Sequence, residues 1–282
     1  RSFTPHLGIR LDKKNEVTFV HPNGPADRPG SRLHIGDRIL KVDDQAIRSD
    51  VSLTRTLNGR LDRDIHLSVK GENEEAPREV IIRPISYSQA RALAQSAHLD
   101  KRNTRVKNAS KDKIGYLHVA RMMWDELEKF EHHIYERGAG KDGLIIDVRD
   151  NGGGFTCDHL LTVLTRPMHA YTVGRNGATG YPQDRHVYAS WNKPIVVICN
   201  QNSFSNAEIF SHAIKTIDRG KLVGTPTAGG VISTGSATIL ELGRMRLPGR
   251  GWFLPHNGED MELYGAVPHF IVDVRPGDLS SG

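Results

Sequence analysis

Apolar positions divide the 282 residues into two stretches of different character. Up to about residue 86 the apolar runs are short and alternate with polar positions. They are Leu7-Gly-Ile-Arg-Leu, Val17-Thr-Phe-Val, Gly36-Asp-Arg-Ile-Leu-Lys-Val, Ile65-His-Leu-Ser-Val and Glu79-Val-Ile-Ile-Arg-Pro, broken by Gly, Pro and Asp turns. This pattern predicts short strands with one face buried, and a helical pattern from Val51 to Leu57 interrupts them. Residues 87–111 are mainly polar, with a short Ala/Leu helical pattern near Ala90 to Leu99, and read as a linker. From about residue 112 strand and helix signals alternate. Ile114-Gly-Tyr-Leu-His-Val, Leu144-Ile-Ile-Asp-Val, Ile195 to Cys199 and Lys221-Leu-Val-Gly read as strands, the second a buried one and the third an unbroken run that suits burial on both faces. Between them lie helical stripes: Met123, Trp124, Leu127, Phe130 and Ile134, closed by Gly138; then Leu160, Leu161 and Leu164; then Phe210, Ala213, Ile214 and Ile217, closed by Gly220. Such units require a parallel sheet with right-handed crossovers. The expected organisation is therefore residues 1–86, a linker over 87–111, and an α/β layer over 112–282.

Two loops of the α/β layer carry candidate chemistry. The strand ending at Cys199 runs through Asn200-Gln-Asn-Ser-Phe-Ser-Asn-Ala-Glu into the third helix. A serine at such a turn sits among the unpaired N–H groups of a helix N-terminus, where it can attack a carbonyl while amides hold the oxyanion. Ser203 and Ser205 are also good helix caps, and capping alone accounts for serines at many such turns. The second loop, Arg149-Asp-Asn-Gly-Gly-Gly, follows another strand end, where open α/β sheets place ligands. Glycines let backbone N–H groups approach a ligand closely, and the two loops together supply two halves of an oxyanion hole. Taken alone, the triple glycine is also a simple turn, and it lacks the flanking pattern of a nucleotide site.

Composition narrows the field. A net charge of +5, with both signs mixed along the chain, gives no basic surface for nucleic acid, and the densest basic stretch, Lys101 to Lys113, reads as a solvated face. The two cysteines, Cys157 and Cys199, imply no disulfide framework and suit a reducing compartment, so the expected location is cytoplasmic. No apolar run is long enough to cross a membrane, and no metal-ligand spacing occurs, so no cofactor or metal is expected. Arg1 opens the chain without a start methionine or signal-like segment, so the sequence reads as an excerpt.

The order of strands in residues 1–86, with Gly24-Pro-Ala and Gly36-Asp-Arg-Ile-Leu-Lys-Val, resembles a PDZ domain. The resemblance implies capture of a peptide C-terminus, with Pro5-His-Leu-Gly in the carboxylate-loop position, beside a purely structural or regulatory alternative.

In the second stretch, Asp147-Val-Arg-Asp-Asn-Gly-Gly-Gly-Phe, Asn202-Ser-Phe-Ser-Asn-Ala-Glu-Ile-Phe and Gly220-Lys-Leu-Val-Gly-Thr-Pro-Thr-Ala-Gly-Gly-Val resemble the protease domain of the C-terminal processing peptidases and tricorn proteases. That resemblance implies a ClpP/crotonase-like fold preceded by the PDZ domain. The processing peptidases place a lysine where this chain has Gly230, so a Ser/Lys dyad is not expected. The stretch Glu259-Asp-Met-Glu-Leu-Tyr-Gly-Ala-Val-Pro is similar to the tricorn segment whose glutamate supports a catalytic histidine.

On this resemblance Ser205 is the nucleophile, Gly154 and Asn206 supply the oxyanion amides, and Glu262 supports the histidine. Asn206 stands where the family has Asp. The resemblance puts the histidine upstream of Arg1. Within the chain His118, His212 and the His132-His133 pair read as packed or solvated residues, with His186 and His256 as internal alternatives. The resemblance also implies peptide substrates and a homohexamer. The family's acidic specificity residue corresponds to a position near Thr172, with Asp184 a remote substitute. Two other readings stand beside this one: a PDZ binding protein with a degenerate protease domain, and a crotonase-like enzyme stabilising an acyl-thioester enolate.

Overall fold

The computed structural model describes residues 5–47, 53–167, 169–170, 173–177, 189–273 and 278. The chain divides into two compact units, residues 1–101 and 102–282.

The first unit is mostly β. Its strands are β1 (Pro5–His6), β2 (Ile9–Leu11), β3 (Val17–Val20), β4 (Arg38–Val42) and β5 (Gln45–Ala46); helix α1 (Leu53–Leu57) precedes β6 (Ile65–Lys70), β7 (Arg78–Ile82) and β8 (Ile85–Ser86). A four-stranded antiparallel sheet runs β5-β4-β6-β7, β2 pairs with β3, and β1 with β8. In β6 the burial alternates, with Ile65, Leu67 and Val69 inside and His66 and Lys70 outside, as a period of two dictates. Of the helical pattern expected from Val51, the described part is α1; Val51 itself lies outside the described residues.

Residues Tyr87–Ala109 form one 23-residue helix, α2, across the stretch read as linker, and the division between the units falls within it. The short Ala/Leu pattern near Ala90 to Leu99 lies inside it, but its only buried residue is Ala90, so no continuous apolar stripe marks its full length. Its Ala, Arg, Gln, Lys and Leu content favours helix on propensity alone. A capping box starts it: the Ser86 N–H donates to Gln89 Oε1 (2.8 Å), and the Gln89 N–H to Ser86 Oγ (3.3 Å).

The second unit continues with β9 (Ile114–His118), α3 (Trp124–Gly138), β10 (Gly143–Asp147), α4 (Cys157–Thr165), β11 (Ile195–Cys199), α5 (Asn206–Thr216) and β12 (Lys221–Gly224). A hairpin of β13 (Ser233–Ile239) and β14 (Gly243–Arg250) and a short β15 (Phe270–Ile271) complete it. The five-stranded sheet is parallel throughout, in the order β15-β12-β11-β10-β9. Helix α3 packs on α4 and α4 on α5, closing a core that holds Phe130, Ile134, Leu144, Ile146, Leu160, Val197, Phe210 and Trp191. Both cysteines are free and buried in this core, and burial pushes each thiol up to about 12. The β13–β14 hairpin is largely exposed along both strands, which is why no apolar pattern announces it.

One buried charge cluster anchors the sheet at the mouth of β10. The fully buried Asp147 accepts from Tyr116 Oη (2.6 Å), Arg149 Nε (2.9 Å) and Arg149 Nη2 (2.5 Å), with Arg102 Nη1 at 3.6 Å. Burial alone would raise the Asp147 pKa, but Arg149 and Tyr116 hold it below the ordinary value. The same environment pushes the Tyr116 hydroxyl up to about 12, chiefly by desolvation. Replacing Asp147 by alanine leaves these donors without their acceptor and is expected to cost about 3–5 kcal/mol, read as a lowered thermal midpoint. An unchanged midpoint contradicts the assignment. Because the folded pKa lies below the unfolded one, the stabilisation from this carboxylate is present at neutral pH and disappears as pH falls through the folded value.

Candidate active site

The site is built where neighbouring strands β10 and β11 end. After β11, Asn200 turns the chain and Ser203 closes the turn. Ser203 is buried, its Oγ donates to Val148 O (2.8 Å) and accepts from Asn200 N–H (3.1 Å). Its hydroxyl is thus occupied by structure. Ser205, two residues on, is half-buried and adopts φ 56° and ψ −120° as the N-cap of α5. A positive φ at a non-glycine residue costs of order 1–3 kcal/mol and persists only where the surroundings enforce it.

The enforcing group is Glu208, fully buried in the first turn of α5. Its Oε1 accepts from Ser205 N–H (2.9 Å) and Gly230 N–H (2.8 Å). Its Oε2 accepts from Thr227 Oγ1 (2.7 Å) and Gly229 N–H (2.5 Å). One carboxylate therefore clamps the serine corner to the segment 227–230. The Ser-x-x-Glu spacing at 205–208 is the capping-box signal that marks this residue in the sequence.

The glycine loop fits against the corner. Asn151 is fully buried, donating from Nδ2 to Val119 O (2.9 Å) and accepting the Gly153 N–H at Oδ1 (2.9 Å), while its carbonyl accepts the Phe204 N–H (2.9 Å). A β-carbon on Gly153 would lie 2.7 Å from Ser205 Cβ. Gly154 has φ 145°, and a β-carbon there would stand 1.9 Å from Met122 O, so only glycine fits. Met122 O also accepts the Phe155 N–H (2.7 Å). Among the described residues the N–H groups of Gly154 and Asn206 have no hydrogen-bond acceptor, whereas the amides around them do. The Asn206 side chain is buried, and its Oδ1 accepts the Cys157 N–H (2.8 Å) at the start of α4. That contact ties the two loops together and needs an acceptor oxygen, which both Asn and Asp provide. Gly154→Ala is expected to displace the loop and cut reaction of Ser205 at least about 100-fold, the order lost with one oxyanion donor. A variant reacting at the native rate contradicts this placement.

Glu262 accepts at Oε2 from the N–H groups of Val231 (2.6 Å) and Ile232 (2.9 Å). These follow directly on Gly230, so two carboxylates hold consecutive amides of one segment, Glu208 on the serine side and Glu262 beyond. Among the described residues Glu262 makes no hydrogen bond to Ser205, and no imidazole bonds to either. A side chain at Gly230 would meet the Phe204 ring at 2.3 Å, so the position has no room for an amine unless that ring moves.

Of the histidines, His118 lies on β9 beside Asp147, and burial lowers its pKa. His132 and His133 sit within ion-pair reach of Glu136. His212 is buried on α5, its pKa lowered by desolvation, and its Nε2 has no hydrogen-bond partner among the described residues. It lines a cavity of about 710 Å³ with His256 and Glu259. His186, Thr172 and Asp184 lie outside the described residues. Sequence reading missed Glu208 and Asn151, the residues that hold the Ser205 corner and the glycine loop.

Residues 113–272 match the model of peptidase family S41, and residues 5–82 match a PDZ domain. The chain belongs to peptidase family S41. Among its relatives are tricorn protease homolog 1 of Streptomyces coelicolor, 28% identical over 97% of this chain and 25% of the relative, and a putative tricorn-like protease C-terminal subunit of Sulfurisphaera tokodaii, 29% identical over 95% and 30%. The crystal structure of the tricorn protease superposes with a TM-score of 0.82 over all of this S41 chain and 28% of that one, at 24% identity, which shows a shared fold. The chain spans between a quarter and a third of the length of these relatives.

Proposed function

We propose that the chain carries the nucleophile of a tricorn-type serine peptidase and cleaves peptides by acyl transfer through Ser205. The observation that carries this reading is the strained Ser205 corner beside two amides, those of Gly154 and Asn206, that have no acceptor among the described residues. Ser205 Oγ attacks the peptide carbonyl, its proton passes to an imidazole, and the developing oxyanion is held by the two N–H groups. The leaving amine takes the proton, and water then cleaves the acyl-serine. Glu262 orients the imidazole, which comes from outside these residues. An acyl-thioester enolate would use the amides but not a strained hydroxyl. A homohexamer in the cytosol, implied by the resemblance, belongs to the same proposal. New peptide N-termini formed from an unfolded protein substrate by the full-length protein test the activity; no new termini under any condition would contradict it.

A second role is proposed for the first unit. The edge of β2 away from β3 is free among the described residues, and beside it Leu7, Ile9, Leu11, Leu53 and Leu57 line a groove of about 310 Å³ that suits an added apolar peptide strand. In the loop that would receive the peptide carboxylate, the Gly8 N–H is donated to His6 Nδ1 (2.8 Å). Burial, with His21 nearby, lowers the His6 pKa, so at neutral pH the ring is uncharged and occupies that amide. Protonation turns Nδ1 into a donor, frees Gly8 and adds a positive charge. Affinity for a peptide with an apolar C-terminal residue is therefore expected to rise as pH falls from about 7 to about 5. Fluorescence titration reads it, and a flat or falling affinity contradicts it.

A further inference from the structure

Three rings close to the proposed nucleophile and its glycine loop, in sequence or by ring contact, are exposed. Trp124, Phe155 and Phe204 keep 55%, 53% and 44% of their surface in water. With full areas of about 150–250 Å² each, they offer on the order of 300 Å² of aromatic surface, enough to mark a binding site on a folded unit. Trp124 meets Phe155 edge-on at 5.7 Å and His159 at 4.7 Å. The backbone beneath them is fixed: the Phe155 N–H is held by Met122 O and the Phe204 N–H by Asn151 O, and Trp124 begins α3. Exposure here is therefore a property of an ordered surface.

Position in the chain ties this surface to the reaction. Phe155 directly follows Gly154 and Phe204 directly precedes Ser205. A carbonyl seated on the Gly154 and Asn206 amides has its own α-carbon one bond away. The side chain on that carbon must then lie beside the residues that flank the amides.

Resting on the Ser205 reading, we propose that Trp124 and Phe155, with Phe204 at the rim, form the specificity surface for a bulky apolar or aromatic side chain on the residue that supplies the scissile carbonyl. The recognition is aromatic contact and water exclusion, with no charged partner.

The test compares three peptidyl diphenyl phosphonates that differ only in the side chain next to phosphorus: benzyl, methyl and aminobutyl. Each is incubated with the full-length protein in the presence of imidazole, and Ser205 modification is timed by mass spectrometry. The benzyl probe is expected to react at least about 10-fold faster than the methyl probe, the order that a filled apolar pocket provides. In Phe155→Ala and Trp124→Ala that ratio is expected to fall at least about 5-fold, whereas Phe155→Leu, which keeps an apolar surface, retains most of it. A ratio indifferent to both alanine variants, equal loss of all rates, or fastest reaction with the aminobutyl probe overturns the inference alone. Failure of every probe to modify Ser205 overturns the peptidase reading and the inference with it.

Discussion

Ser205→Ala is expected to lose peptide cleavage by at least about 10³-fold while keeping the thermal midpoint within a few degrees. Removing a covalent nucleophile leaves only the contribution of the oxyanion amides and of binding, which accounts for losses of that size. The hydroxyl makes no hydrogen bond to another side chain among the described residues, and its removal costs only the capping-box acceptor for the Glu208 N–H, about 1 kcal/mol. Alanine still bears a β-carbon and meets the same positive φ, so the backbone strain is neither relieved nor increased. Ser203→Ala provides the contrast. It deletes the bond to Val148 O and the acceptor for Asn200 N–H, and should lower stability more than Ser205→Ala does. Equal cleavage by native protein and Ser205→Ala would remove this residue from the reaction.

Glu208→Ala is expected to have the second-largest effect, on stability and reactivity together. The substitution strands four donors: the N–H groups of Ser205, Gly229 and Gly230, and the hydroxyl of Thr227. Each buried orphan costs roughly 1–3 kcal/mol where water does not replace the acceptor, so a loss of at least about 3 kcal/mol follows. Thr227 cannot turn elsewhere easily, because its Oγ1 already accepts the Ala266 N–H (2.7 Å). Without the clamp, Ser205 has nothing to enforce its unusual backbone. Reaction of the folded fraction with a phosphonate should then fall at least about 100-fold, as misplacement of a reacting group by an ångström or so implies. Glu208→Gln separates charge and acceptors from shape. Its amide NH₂ points a donor at donors, so glutamine should recover little of the rate. Full recovery by glutamine would mean that packing alone holds the corner.

Much of this architecture was legible as pattern. The unbroken apolar strand Ile195 to Cys199 and the stripe Leu127, Phe130 and Ile134 follow from burial: the folded chain buries the stripe together with Ile195, Val197 and Cys199, and leaves Val196 and Ile198 half-buried. Features held by polar contacts were less legible. Helix α2 exposes most of its surface, so only the short Ala/Leu pattern near Ala90 to Leu99 announces part of it, and the β13–β14 hairpin, held mainly by backbone pairing, leaves no apolar period to read. At the site, the serine and glycine loops stood out as strand-to-helix turns, and their neighbouring strands bring them together. Glu208 did not stand out, since a glutamate in a first helical turn is ordinarily a solvated one. Its burial depends on residues 227–230 folding back over it, a long-range contact that no local spacing encodes. The capping box at 205–208 and its twin at 86–89 were the available local signals.

In the proposed reaction the Ser205 hydroxyl faces the Gly154 and Asn206 amides and lacks only an imidazole. Peptide mapping of the native chain after treatment with an aryl phosphonate, with and without added imidazole, tests it most directly. One modified residue is expected, Ser205, formed at least about 10-fold faster with imidazole present. Modification at Ser203 or elsewhere, or a Ser205 that stays unmodified with imidazole present, would contradict it.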